Sequence, residues 1–232
     1  MVFPFSASAQ DIKVFAASSL RDVIGEFADV YEAETGDSVV LVFAASSAIA
    51  RQVAQGAPAD VVALADRQWA EWLVDQGTVK QMEPFATTRL VLVGRDVDPV
   101  EPEGILLALD DGMLAMAQVD AVPAGRYGKA ALETLRLWDS VEGQVVQAAN
   151  VRAALRFVER GEAALGIGYA SDLVALPALS QVYEFPLESH APVIYSMAAV
   201  TPNGDGFVAG LTAGSMTNIL NKWGFSWLEA AQ

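Results

Sequence analysis

A chain of 232 residues, 53% hydrophobic and 19% charged, can bury one large core or two modest ones, and its composition excludes a disordered polypeptide. Its 29 acidic against 14 basic residues leave a formal net charge of -15, which argues against nucleic acid as a partner because such binding depends on neutralising phosphates. With no cysteine, disulfides, thiolate metal sites, thiol catalysis and an acylated lipoprotein anchor are excluded, and no apolar run reaches the ~20 residues that cross a bilayer.

The first predicted element is a targeting remnant. In "MVFPFSASAQ", Ala7-Ser8-Ala9 fits a small-x-small cleavage pattern, but only the short apolar patch Val2 to Phe5 precedes it, with no basic residue. Residues 1–9 therefore read as the tail of a truncated signal peptide, with a disordered cytoplasmic tail as the alternative.

From residue 11 strands alternate with helices. "IKVFAA" is a strand, and Leu20, Val23, Ile24, Phe27, Val30 and Tyr31 then trace an apolar helical stripe that Gly36 ends. "VVLVFA" (39–44) and "ADVVALAD" (59–66) are strands, each followed by a helix, "SSAIARQVAQG" (46–56) and "RQWAEWLVDQG" (67–77). In the latter, Trp69 and Trp72 are three apart and pack the helix onto the sheet.

A second set begins near residue 88. "RLVLVGR" and "GILLALD" read as strands, "PAGRYGKAALETLRLWDS" (123–140) as a helix with proline in its first turn, and "NVRAALRFVERGEA" (150–163) as another helix. "LGIGYA" (165–170), "QVYEF" (181–185) and "VIYSMAAV" (193–200) are strands, and helical segments close the chain. The alternation predicts an α/β fold with mostly parallel sheets in two lobes, 10–86 plus 190–232 and 87–189. The crossings near 84–90 and 186–194 are not Gly/Ser-rich, so the lobes are hinged at strands and not tethered by a flexible linker.

Two strand-to-helix junctions are near-duplicates, "AASSLRD" (16–22) and "AASSAIARQ" (44–52). Ser18 or Ser46 can act as an N-cap, and Asn150 can do so at "AANVRAAL" (148–155). "VPAGRYG" (122–128) also leads into a helix. Such junctions gather beyond the carboxyl ends of parallel strands, where free N–H groups and helix dipoles favour an anion. Four of them converging on one small anion, or four ordinary capped helices, fit the pattern equally.

The catalytic alternatives are weaker. His190 lies in "PLESHAP" with Glu188 and Ser189 nearby, but no G-x-S-x-G elbow accompanies it, and it reads as a surface-loop residue. Asp110-Asp111 reads as a solvated turn. Arg51, Arg126 and Arg152 stand near the inferred anion site, either as direct clamps or as solvated helix positions.

The strings "VFAASSL", "SSAIARQVAQGAPADVVALAD", "VPAGRYG" and "NVRAALRFVERGEAALGIGYASD", in this order and spacing, closely resemble the periplasmic molybdate-binding proteins of ABC importers, from about Asp11 to "KWGF" (222–225). The resemblance implies a type II periplasmic binding protein fold, each lobe a sheet flanked by helices, with ligand in the cleft between them. It implies Ser19 and Ser46 as hydroxyl donors, Ala124 and Val151 as backbone N–H donors and Tyr169 as a phenol donor, with Ser18 and Ser47 as caps or packing residues. Any molybdenum or tungsten is then held as its oxyanion through these bonds, without direct coordination to the metal.

It further implies a non-enzymatic, monomeric protein of the periplasm, without cofactor, that hands molybdate or tungstate to a membrane permease. Several relatives carry an acidic residue where this chain has Asn150, which bears on affinity more than on fold. A site made only of donors suits a fully deprotonated dianion over hydrogen phosphate, and sulfate remains the alternative ligand. A hydrolytic enzyme and the sensing domain of a transcription regulator are the remaining alternatives; the chain carries no helix-turn-helix.

Overall fold

The computed structural model describes residues 10–211 and 215–228. The predicted signal remnant, residues 1–9, lies outside them.

Two sheets organise the chain. The first contains β1 (Asp11–Ala17), β2 (Ser38–Ala44), β3 (Val61–Leu64), β4 (Glu83–Thr87), β10 (Ile194–Ala199) and β11 (Ser226–Trp227), in the order β11-β4-β10-β3-β1-β2. The second contains β5 (Leu90–Gly94), β6 (Leu114–Ala117), β7 (Val145–Ala148), β8 (Leu165–Tyr169) and β9 (Ser180–Glu184), in the order β7-β6-β8-β5-β9. The α/β class holds, but each sheet is mixed and not mostly parallel. Strand β1 is parallel to β2 and β3, and β6 to β7 and β8, whereas β10, β4 and β11 run antiparallel, as do β8, β5 and β9. The reason is the crossing: the chain leaves the first sheet through β4 and re-enters it through β10, so these neighbours run in opposite senses.

Helices flank both sheets. In the first lobe these are α1 (Arg21–Thr35), entered through a 3-10 turn at Ser18–Leu20, α2 (Ser46–Ala54), α3 (Arg67–Asp75), α9 (Asp205–Leu211) and α10 (Ser215–Lys222). The second lobe has α4 (Ile105–Leu109), α5 (Pro123–Thr134), α6 (Trp138–Val141), α7 (Val151–Glu159) and α8 (Ala170–Ala175). The stripe of α1 packs as its periodicity requires, with Leu20, Val23, Ile24 and Phe27 buried. Gly36 ends the helix with φ at 78°, and its N–H reaches the Glu32 carbonyl at 2.9 Å. That left-handed conformation suits a residue without Cβ.

Two predicted elements are corrected. "GILLALD" is not a strand: Pro102 opens a 3-10 turn that runs into α4, and Leu107 is left 83% exposed. Leucine and alanine are strong helix formers, and a short apolar run carries no period that separates the two states. The strand is the wholly buried "LAMA" of β6, a few residues later. The helix predicted over 123–140 stops at Thr134, Arg136 turns left-handed with φ at 57°, and α6 begins at Trp138.

A candidate anion site between the two sheets

Four strand-to-helix junctions meet between the sheets. From the first sheet, β1 delivers Ser19 and β2 delivers Ser46 at the start of α2. From the second, α5 begins with Pro123 and Ala124, and α7 begins with Val151. The amides in the first turn of a helix lack intrahelical acceptors and lie at the positive end of its dipole. Tyr169, the last residue of β8, completes the ring as the N-cap of α8.

Ser19, Ser46, Ala124, Val151 and Tyr169 all line one cavity, together with Ser18 and the small apolar residues Ala17, Ala45, Ala65, Val122 and Pro123. None of these carries a formal charge. The cavity is small, about 10 Å3. Sites for organic ligands enclose on the order of 300 Å3 or more, so this one suits a single compact ion.

The serines do not cap. Ala17 and Ala45 occupy the N-cap positions, without side-chain hydrogen bonds, and Ser46 is already the first helical residue. Its Oγ accepts the Ala65 N–H at 2.9 Å, a bond that ties α2 to the end of β3. Ser19 Oγ accepts the Tyr195 hydroxyl at 3.2 Å. A hydroxyl that accepts in this way keeps its own hydrogen for another acceptor. Ser18 and Ser47 are buried, Ser18 in the cavity lining and Ser47 outside it. Asn150 does cap, its Oδ1 accepting the Ala153 N–H at 3.0 Å.

Tyr169 is 1% exposed, and its hydroxyl has no partner among the described residues. An orphaned buried hydroxyl is costly, which marks it as a donor meant for something else in the cavity. Burial, together with the nearby Tyr195, Tyr127, Asp172 and Asp66, pushes its pKa well above the ordinary phenol value. It stays protonated, and stays a donor, at any physiological pH.

The arginines act elsewhere. Arg152 Nε lies 2.6 Å from Asp172 Oδ1 and its Nη2 lies 2.6 Å from Asp22 Oδ2. Burial opposes the Arg152 charge, but Asp172 and Asp22 outweigh it and hold the guanidinium above its ordinary pKa. Asp172, 0% exposed, also accepts the Tyr169 N–H at 3.0 Å; burial pushes its carboxyl up, against the pull of Arg152. Arg126 pairs with Asp66 and hydrogen-bonds Gln68, while Tyr127 donates to Asp66 at 2.8 Å. Arg51 stacks over Trp69, 4.9 Å from the ring centroid. None of the three lines the cavity, and Arg126 and Arg152 are neither clamps nor solvated: they pair with carboxylates of the opposite lobe. Trp69 packs with Trp72 and also reaches across, its Nε1 donating to the Ala121 carbonyl at 3.0 Å.

His190 is not a surface residue. It is 8% exposed, with Nδ1 2.8 Å from the Ala191 carbonyl and its ring 5.8 Å from that of Tyr127. The crossing segment is drawn inward because Thr134 of α5 donates to the Ser189 carbonyl at 3.1 Å. Ser189 Oγ donates to the Pro186 carbonyl at 2.6 Å, so no serine–histidine pair forms. Asp110 and Asp111 are exposed, as predicted. Sequence reasoning missed Tyr195: "VIYSMAAV" marks a strand, but nothing in it says that one phenol reaches a serine 176 residues away.

Two lobes with uncharged residues lining a cavity between them have the architecture of a two-lobed type II binding protein. Residues 12–226 match the family model for bacterial extracellular solute-binding proteins, and the chain belongs to that family. It is 35% identical to the molybdate-binding protein ModA of Escherichia coli, over 93% of this chain and 88% of that one. It is 36% identical to ModA of Haemophilus influenzae, over 97% and 92%. Among solved structures, the periplasmic molybdate-binding protein of Azotobacter vinelandii superposes with a TM-score of 0.83 at 23% identity, over 94% of this chain and 100% of that one.

Proposed function

We propose that this protein captures molybdate or tungstate outside the cytoplasm and delivers it to the membrane permease of an ABC importer. It acts as a monomer in the periplasm and as a carrier, not an enzyme. The oxyanion is its cargo, and no cofactor takes part. The lobes are residues 10–86 plus 190–232 and residues 87–189, with the hinge at the two crossings.

The single observation that carries this reading is the polarity of the cradle. Two serine hydroxyls already accept from the protein, and among the described residues the buried phenol lacks a partner and no charged side chain lines the cavity. Such a site offers several hydrogens and no carboxylate to receive one, which suits a tetrahedral dianion that carries no proton. It also resolves the electrostatic problem set by a net charge of -15. The bulk field repels an anion, so attraction must come from short-range dipoles and helix N-termini.

In the proposed cycle the anion first meets Ser19 and Ser46 in the open cleft. Closure then brings the amides of Ala124 and Val151 and the Tyr169 hydroxyl onto its remaining oxygens. Hydrogen bonds to a charged group contribute roughly 1.5–3 kcal/mol each, so a few of them suffice for tight binding.

Calorimetric titration with molybdate, tungstate, sulfate and phosphate tests the proposal. Tight one-to-one binding of molybdate and tungstate supports it. Binding of sulfate alone points to the sulfate alternative, and turnover of any of the four contradicts the carrier reading.

A further inference from the structure

Tyr195 is a large polar side chain near the cavity that the proposed cycle leaves unused. It sits on β10, is 0% exposed, and does not line the cavity. Its ring is held on three sides, with centroids 5.2 Å from Phe225, 6.2 Å from Tyr169 and 6.4 Å from Phe85. Packing of this kind leaves the ring one position. Its hydroxyl therefore meets Ser19 Oγ at one place, 3.2 Å away.

Two hydroxyls in contact can share a hydrogen either way. Here the phenol is the better donor, and its hydroxyl donates to Ser19 Oγ. Burial raises the phenol pKa far above its ordinary value, with the Asp172 charge adding to the effect, so the hydrogen is always present. A Ser19 oxygen that receives this hydrogen must send its own elsewhere, and the cavity is the direction left. The same logic applies at Ser46, where the donor is a backbone N–H.

We infer that Tyr195 is a positioning residue: by donating to Ser19 Oγ it turns the serine hydrogen into the cavity, so that Ser19 meets the anion as a donor. The inference rests on Ser19 being an oxyanion ligand, as proposed above. It adds a specificity element that touches no ligand. Without Tyr195, Ser19 is free to rotate and to accept, and the cradle loses part of its preorganisation before the anion arrives.

A double-mutant cycle separates this role from a general structural one. Molybdate affinity is measured by calorimetry for the wild type, Tyr195→Phe, Ser19→Ala and the double variant. If Tyr195 acts through Ser19, Tyr195→Phe weakens binding by about 3- to 10-fold in the wild type. In the Ser19→Ala background it changes affinity by less than about 2-fold. An equal loss in both backgrounds, or no loss in the wild type, overturns the inference. Ser19→Ala binding as tightly as the wild type instead overturns the site assignment on which it rests. Neutron diffraction from the wild-type molybdate complex gives an independent reading. The Ser19 hydrogen is expected toward the anion and the Tyr195 hydrogen toward Ser19, and the reverse placement contradicts the inference even if Tyr195→Phe does not fold.

Discussion

Arg152 Nη2 lies 2.6 Å from Asp22 Oδ2, an ion pair between α7 of one lobe and the first turn of α1 in the other. The same guanidinium holds the fully buried Asp172, which in turn accepts the N–H of Tyr169. One side chain thus links a contact between the lobes to Tyr169, the residue at the end of β8 in the cavity lining. The two halves of this link differ in burial, and that difference predicts different phenotypes. Asp22 is 26% exposed, so Asp22→Asn removes a screened pair and costs on the order of 1 kcal/mol, seen as roughly 3- to 10-fold faster release of ligand in stopped-flow fluorescence. Arg152→Met strands the Asp172 charge in the interior and lowers unfolding free energy by about 3–5 kcal/mol. Equal stability of the two variants contradicts this division.

Tyr169→Phe is predicted to separate stability from affinity. Its hydroxyl has no partner among the described residues, so removing it costs the ligand-free fold nothing or stabilises it slightly. Loss of one charge-assisted bond weakens oxyanion binding by about 10- to 100-fold. Thermal melting with and without molybdate checks both at once: the ligand-free midpoint holds or rises, and the ligand-induced shift shrinks. A lower ligand-free midpoint shows that the hydroxyl serves the fold.

Gly125, beside Ala124, has no room for a side chain. A Cβ there meets the Ala117 carbonyl oxygen at 2.3 Å and the Gln118 carbonyl oxygen at 2.4 Å, both backbone atoms that cannot swing aside. Gly125→Ala must therefore push the start of α5 away from the second sheet and carry the Ala124 amide with it. Affinity falls at least 10-fold while far-ultraviolet circular dichroism stays near that of the wild type. Unchanged affinity means that the α5 amide is not part of the cradle.

His190 sets a pH dependence of stability. Burial lowers its pKa below the ordinary value near 6.5, with the Ala191 carbonyl opposing that shift only in part. Between the folded and unfolded values the unfolded chain binds more protons, so stability rises with pH across that window. The contribution is complete above about pH 6.5 and is lost as pH falls from there toward the folded value. Urea unfolding from pH 7 to pH 5 is expected to show a shallower loss in His190→Gln than in the wild type. Molybdate affinity stays flat from pH 6 to 8, since the cavity lining carries no group that titrates there. Identical acid slopes in the two proteins contradict the account of His190.

The four strand-to-helix junctions were legible before any coordinates, whereas the particular residues Ser19, Ser46, Ala124, Val151 and Tyr169 came from the family resemblance and share one cavity. Pro123 at a helix start and Asn150 as a cap are local patterns that local rules read, whereas the same rules made Ser18 or Ser46 a cap and the structure puts Ala17 and Ala45 in those positions. What stayed hidden depends on contacts distant in sequence. Tyr195 reaches Ser19, Asp66 gathers Arg126 and Tyr127, and Arg152 finds Asp22 only after the chain has crossed between lobes. The misread strand at "GILLALD" failed for a local reason instead, because a short leucine run fits a strand or a helix equally until its partners are known. The mixed sheets were missed because hydrophobic runs report burial and not direction.

The most direct measurement is a crystal structure of the protein with molybdate bound. One oxyanion is expected between the lobes, with its oxygens on the Ser19, Ser46 and Tyr169 hydroxyls and on the amides of Ala124 and Val151. An ion bound elsewhere, or one held chiefly by lysine or arginine side chains, contradicts the proposed site.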